Sequence, residues 1–234
     1  MDPNAAVRRG GALYDAWWST LGVAPPTGEH PLWASRPDPM ANTRTGRDTW
    51  RCKECHGWDY RGVDGAYGSG DHRTGIRGIL GTRRTEQELV TLLRESAPGP
   101  SGGHGYGARI PEAELRNVAR FVLQGTVDTT RYVDAMRRFQ GDATRGGMLF
   151  RQGVGGVASC GSCHGDNGLT DPPMASMGFD DFPGAVARGN PWEFLHKVRF
   201  GQPGYVMPPL HGRANEADLR DLGAFAQTLP MARP

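Results

Sequence analysis

Two five-residue stretches carry the chemistry of this chain: Cys52-Lys53-Glu54-Cys55-His56 and Cys160-Gly161-Ser162-Cys163-His164. Both read C-x-x-C-H. Two thiols at that spacing can add to the vinyl groups of a haem as thioethers, and the histidine that follows at once becomes the proximal iron ligand. The chain has 4 cysteines, and the two motifs use all of them. A zinc knuckle would need further ligands near each pair to close a four-coordinate site, and a dithiol redox motif would not require the trailing histidine. The expectation is two covalently attached haem c groups. Cys52 and Cys55 hold one and Cys160 and Cys163 the other, with His56 and His164 as proximal ligands.

The elements that must position these motifs repeat along the chain. The motifs are 108 positions apart. Downstream, Leu115-Arg116-Asn117-Val118-Ala119-Arg120-Phe121 resembles Leu219-Arg220-Asp221-Leu222-Gly223-Ala224-Phe225. Upstream, Arg9-Gly10-Gly11-Ala12-Leu13-Tyr14 resembles Arg145-Gly146-Gly147-Met148-Leu149-Phe150. Each half reads as a short helix, a haem motif, a middle helix and a final helix. The middle helices are expected over Glu86 to Arg94, capped by Thr85, and over Pro191 to Phe200, capped by Asn190 with Pro191 at the first position. The final helices should start near Pro111 and Glu216, with Leu115, Val118, Phe121, Val122 and Leu219, Leu222, Phe225 on their apolar faces.

Composition agrees with this plan. Among 234 residues there are 35 Gly and 18 Pro, and only 37% are hydrophobic, which is poor material for a large aliphatic core. A haem is itself a large apolar core element. The formal charge is +2; each ferric haem contributes about −1, so the loaded protein is roughly neutral. No basic run points to nucleic acid, and no stretch approaches the ~20 apolar residues of a membrane span. The start, Met-Asp-Pro-Asn, is not signal-like. Haem is normally attached outside the cytoplasmic membrane, so a periplasmic or extracytoplasmic home with a removed leader is expected.

The order of elements resembles tandem class I cytochrome c domains over nearly the whole chain. The resemblance implies a mainly α fold of two helical domains, 1–135 and 136–234, each wrapping one haem, with first and last helices crossing. The boundary is expected between Gly125 and Gly141. The halves differ before the motif: the first carries about 28 extra residues, rich in Trp and Pro and including Trp17, Trp18, Trp33, Pro37 and Pro39. This insert either packs its rings on the domain surface or covers the first haem or a docking face. Trp50, Trp58 and Tyr60 beside the first motif are expected to wall the haem. Arg51, Lys53 and Arg61 either pair with propionates or stand as solvated charge.

The sixth iron ligand sets reactivity and potential. In the second domain Met207-Pro208-Pro209 occupies the loop position from which the class I family supplies a methionine, with Met174 and Met177 as competitors. The first domain has no methionine from His56 through Val133, and the repeat sets His104, in a glycine-rich loop, against Met207. His72 is the rival; His30, His196 and His211 default to structural roles. The expected sets are His56/His104 and His164/Met207. Two closed irons imply an electron carrier with redox-protein donor and acceptor rather than an enzyme. A dihaem enzyme of thiosulfate dehydrogenase or peroxidase type, or a gas-binding sensor, is the alternative. The thiosulfate dehydrogenase resemblance is distant, since its His/Cys ligation would need a cysteine this chain does not have.

Overall fold

The computed structural model describes residues 2–96, 103–170 and 182–233. Its described residues are mainly helical, with three isolated β-bridges and no named strand. The chain divides into two compact units, Met1–Val127 with Gln202–Gly204, and Asp128–Gly201 with Tyr205–Pro234. The division lies before the 135/136 boundary expected from sequence, and packing accounts for it. Residues 132–141 belong to the second unit: the Phe139 N–H donates to Gln227 Oε1 at 3.0 Å, and the Phe139 ring lies against Gly223.

In the first unit, α1 (Ala5–Leu21), the motif helix α2 (Cys52–His56), α3 (Glu86–Arg94) and α4 (Glu112–Arg120) follow in order. A π-turn over Phe121–Gly125 extends α4. The second unit contains α5 (Ala143–Gln152), the motif helix α6 (Gly161–His164), α7 (Pro183–Gly189), α8 (Pro191–Phe200) and α9 (Glu216–Ala226). Local chemistry sets the helix starts. Thr85 and Glu88 form a reciprocal capping box on α3, and Asn215 and Asp218 form the same device on α9. Asn190 caps α8, with Pro191 at its first position. The α7 helix, begun by Pro183, has no counterpart among the described residues of the first unit.

The same crossing builds both units. In the first, α1 packs on α4 at Gly10, where a Cβ would run into the Asn117 carbonyl oxygen and lie 2.6 Å from Phe121 Cβ. In the second, α5 packs on α9 at Gly146, where a Cβ would run into the Asp221 carbonyl oxygen and lie 2.8 Å from Phe225 Cβ. An arginine precedes each glycine and bridges the crossing. The Arg9 guanidinium grips Glu114 at 2.9 Å, and Arg145 grips Asp221 at 2.5 Å and also Asp218. Four residues after each glycine an aromatic ring closes the contact: Tyr14 lies 5.1 Å from Phe121, and Phe150 lies 5.3 Å from Phe225. The apolar faces expected from sequence are buried, including Leu115, Val118, Phe121 and Val122 in the first unit and Leu219, Leu222 and Phe225 in the second. The tryptophans of the stretch before the first motif pack inward: Trp17, which α1 takes in, is 2% exposed and Trp33, in the insert after α1, is 3% exposed.

These crossings yield a prediction whose sign is informative. Helix propensity alone would make Gly→Ala favourable by about 1 kcal/mol. Gly10→Ala and Gly146→Ala should instead each cost roughly 1–3 kcal/mol through overpacking, read as a lower midpoint in denaturant unfolding of the haem-loaded protein. Gly189→Ala, where a Cβ would meet nothing within 4 Å, should be neutral or stabilising.

Candidate functional site: the two C-x-x-C-H motifs

Each motif forms about one turn of helix and ends in the same way. The glycine after the histidine takes a conformation open to few other residues, φ 75°, ψ 159° at Gly57 and φ 71°, ψ 160° at Gly165. The chain then folds back on the histidine. The Gly62 N–H donates to the His56 carbonyl at 3.0 Å, and the Thr170 N–H donates to the His164 carbonyl at 2.9 Å. Both returns come six residues after the histidine, so the two motifs share one local fold. Burial pushes the Cys52 and Cys55 thiols up to about 12 and the Cys160 thiol up to about 11. All four cysteines are free thiols. They are unbridged and set in pairs on or at the start of the short motif helices, as thioether attachment requires.

His56, the histidine of the first motif, is oriented. His56 Nδ1 donates to the Arg77 carbonyl at 2.7 Å, which leaves Nε2 with its lone pair as the coordinating nitrogen. Burial lowers the His56 pKa against the opposing pull of that hydrogen bond, and burial lowers the His164 pKa too. Both conditions favour the neutral, ligating imidazole.

His104 is brought to His56. Their ring centroids are 6.2 Å apart and their planes 26° from parallel, a gap that accommodates one metal ion between two nitrogens at about 2 Å each. Main-chain bonds fix the loop: the His104 N–H donates to Leu92 O at 2.9 Å, and the Gly105 N–H donates to Glu95 O at 2.6 Å. His72 stands elsewhere. Its exposed ring lies 3.8 Å from the Glu54 carboxylate and 5.8 Å from the Tyr67 ring. The residues here therefore fit a bis-imidazole haem through His104.

Met207 lies half-buried in the loop between α8 and α9. That loop is tethered as the His104 loop is: the Leu210 N–H donates to Val198 O at 3.0 Å and the His211 N–H to Arg199 O at 2.9 Å. A further turn lies in the same register in both units. Arg109 and Ile110 donate to Tyr106 O, and Arg213 and Ala214 donate to Leu210 O. His104 lies two residues before the first turn and Met207 three before the second. Met174 and Met177 fall in 171–181, outside the described residues. His196 is fully buried, 4.9 Å from the Phe200 ring, and His211 Nδ1 lies 3.4 Å from the Arg199 guanidinium.

Trp50, Trp58 and Tyr60 are buried around the first motif. Two cations suggested for propionates are already engaged by protein carboxylates. Arg51 pairs with Asp15 and donates to its carbonyl at 2.9 Å, and Lys53 pairs with Glu54 at 2.6 Å. Sequence reasoning missed two residues beside the site. The Tyr106 hydroxyl donates to Trp50 O at 3.0 Å, and His30 Nε2 donates to His104 O at 2.9 Å. No repeat partner marks His30, and its only sequence signal is that it is the histidine of the insert.

Residues 141–225, which include the second motif and the α5/α9 crossing, match the family model described as cytochrome C oxidase, cbb3-type, subunit III. This segment is similar to a cytochrome c domain. No curated protein matches the chain. A cytochrome c domain carries haem c covalently and serves electron transfer, which agrees with the paired thiols and adjoining histidine of the second motif. Outside 141–225, the first unit has the same motif turn and helix crossing as the matched segment, and a similarly tethered loop. Among the described residues, no three His, Cys, Asp or Glu side chains cluster as a site for a bare metal ion. No helix among those residues is long and apolar enough to cross a membrane.

The Lys53–Glu54 pair explains how two charged residues sit inside the first motif. Glu54 is only 4% and Lys53 8% exposed, and the Asn42 amide donates to Glu54 Oε1 at 3.1 Å. Burial opposes the charge, but Lys53, His72 and Asn42 together hold the carboxyl below its usual range. Lys53→Met should cost about 3 kcal/mol, because it leaves a buried carboxylate without its main partner. The double variant Lys53→Met/Glu54→Gln should recover most of that loss, as read by denaturant unfolding of the loaded protein.

Proposed function

We propose that this chain is a dihaem electron-transfer cytochrome of two tandem cytochrome c domains, 1–135 and 136–234, working in the periplasm or on another extracytoplasmic surface. Cys52 and Cys55 hold the first haem c and Cys160 and Cys163 the second. His56 and His104 are the axial pair of the first, His164 and Met207 of the second. The observation that carries this reading is the approach of the His56 and His104 rings beside buried, unbridged thiols. The motif fold that the two units share extends it to the second haem. When bound, each haem c supplies an iron that alternates between ferrous and ferric and so carries one electron.

The protein's own residues set how readily that electron is held. A methionine thioether is a soft donor that favours ferrous iron and raises the potential. A second imidazole donates more strongly and favours ferric iron. Met207 therefore makes the second site the higher in potential and His104 makes the first the lower, so electrons pass from first to second between a redox-protein donor and acceptor. Backbone bonds from α3 and α8 keep each distal loop in place through both states. With a protein ligand on each axial position, no iron is left open for a substrate, which favours a carrier over a dihaem enzyme or gas sensor.

Intact mass should exceed that of the polypeptide by two haems, with no disulfide; a single adduct, or a zinc adduct, would refute the dihaem reading. The ferric protein should carry the weak near-infrared sulfur-to-iron band, and Met207→Ala should abolish it. Persistence of that band would move the ligand to Met174 or Met177. His104→Ala should turn one haem high-spin and open to carbon monoxide. His104→Met should raise the lower potential by on the order of 0.1 V within the wide range that axial ligands span.

A further inference from the structure

The insert between α1 and the first motif reaches the distal loop through one side chain. We propose that His30 is a positioning residue for His104: its imidazole holds the His104 carbonyl and so keeps the His104 ring opposite His56. This rests on the reading of His104 as the distal ligand of the first haem.

The geometry around His30 defines its role atom by atom. The Leu32 N–H donates to Nδ1 at 3.2 Å, so Nδ1 bears a lone pair and Nε2 bears the hydrogen. That hydrogen is given to His104 O at 2.9 Å. The His30 main-chain N–H is itself fixed on Thr49 Oγ1 at 2.8 Å. The ring is held between Trp50, centroids 4.6 Å apart, and Tyr106, 5.3 Å apart. Trp50 in turn donates from Nε1 to Gly28 O at 3.1 Å. His30 is 5% exposed, so water does not compete for its hydrogen bond.

The distal loop needs such a holder. His104 lies in Ser101-Gly102-Gly103-His104-Gly105-Tyr106-Gly107, a run whose glycines leave the backbone little preference of its own. The bonds to Leu92 O and Glu95 O fix its N–H groups from α3 and the residue that ends it. The bond from His30 fixes the intervening carbonyl, and with it the peptide plane that sets the direction of the His104 side chain. Residues outside an iron's own ligands commonly fix ligand orientation in this way. Here the hold acts on the ligand's main chain and leaves its ring nitrogens to other partners.

The test uses the reduced, haem-loaded full chain and carbon monoxide as probe, with spin state read by optical and EPR spectra. His30→Phe keeps an aromatic ring and removes the donor; His30→Gln keeps an N–H donor and removes the ring. The Phe substitution should give a high-spin fraction at one haem and about tenfold faster carbon monoxide binding there, while the near-infrared methionine band of the other haem is unchanged. The Gln substitution should stay close to the unaltered protein. Equal opening by both substitutions would overturn the proposal in favour of ring packing, and no opening by either would show that the loop holds without His30. If the Phe variant does not accumulate, Thr49→Val releases the His30 N–H without touching the ring. A faster carbon monoxide reaction in that variant supports the proposal and an unchanged one overturns it. His104→Ala separates the two levels: if it opens the first haem and His30→Phe does not, only the proposal falls. If His104→Ala changes nothing, the ligand assignment has failed and the proposal falls with it.

Discussion

Everything in each unit hangs from the contact of one glycine with the backbone of the final helix. At Gly10 and Gly146 the missing side chain lets two helices approach until one rests against the carbonyl of the other. Because that approach is set by backbone and not by interlocking side chains, it fixes the spacing of the helices within narrow limits. An arginine beside the glycine then chooses the rotation by gripping an acid on the far helix. An aromatic ring one turn on fills the space that opens as the axes diverge. The motif helix is joined to this frame directly in the first unit, where the Tyr14 hydroxyl donates to the Gly57 carbonyl at 2.6 Å. The position of the thiols is thus referred back to the crossing.

Much of this was legible in the sequence because it depends on residues close together in the chain. The C-x-x-C-H stretches, the Thr85 and Asn190 caps and the apolar spacing of α4 and α9 are local patterns, and α3 and α8 have the limits their sequences imply. The repeat extended that reach. It aligned His104 with Met207 although nothing in the sequence around His104 distinguishes it from His72, and the structure brings the His104 ring, not the His72 ring, to His56.

What the sequence did not disclose depends on tertiary neighbours. The stretch before the first motif has neither apolar period nor repeat partner, so nothing in it shows that α1 extends to take in Trp17 or that Trp33 is buried. His30 was set aside as a structural histidine for the same reason: the group it bonds is a backbone carbonyl 74 positions away, and a carbonyl leaves no mark on a sequence. For Arg51 and Lys53, proximity to the motif leaves pairing with propionates and solvated charge both open, and a sequence does not show that Asp15 and Glu54 engage them. The division between the units falls inside the Gly125–Gly141 window, and its place within that window depends on tertiary ties such as that of Phe139 to Gln227.

The way the His104 and Met207 loops are held has a consequence for how such a protein diversifies. Each tether ends on a main-chain atom: Leu92 O and Glu95 O in one unit, Val198 O and Arg199 O in the other. The hold of His30 on His104 also ends on a carbonyl. None of these bonds depends on which side chain the loop presents. The residue in the place of His104 or Met207 can therefore be exchanged in evolution while the course of the loop, and the helices that carry it, stay as they are. A duplicated gene encoding such a unit starts with two identical sockets, and a single codon in either is enough to give them different chemical characters.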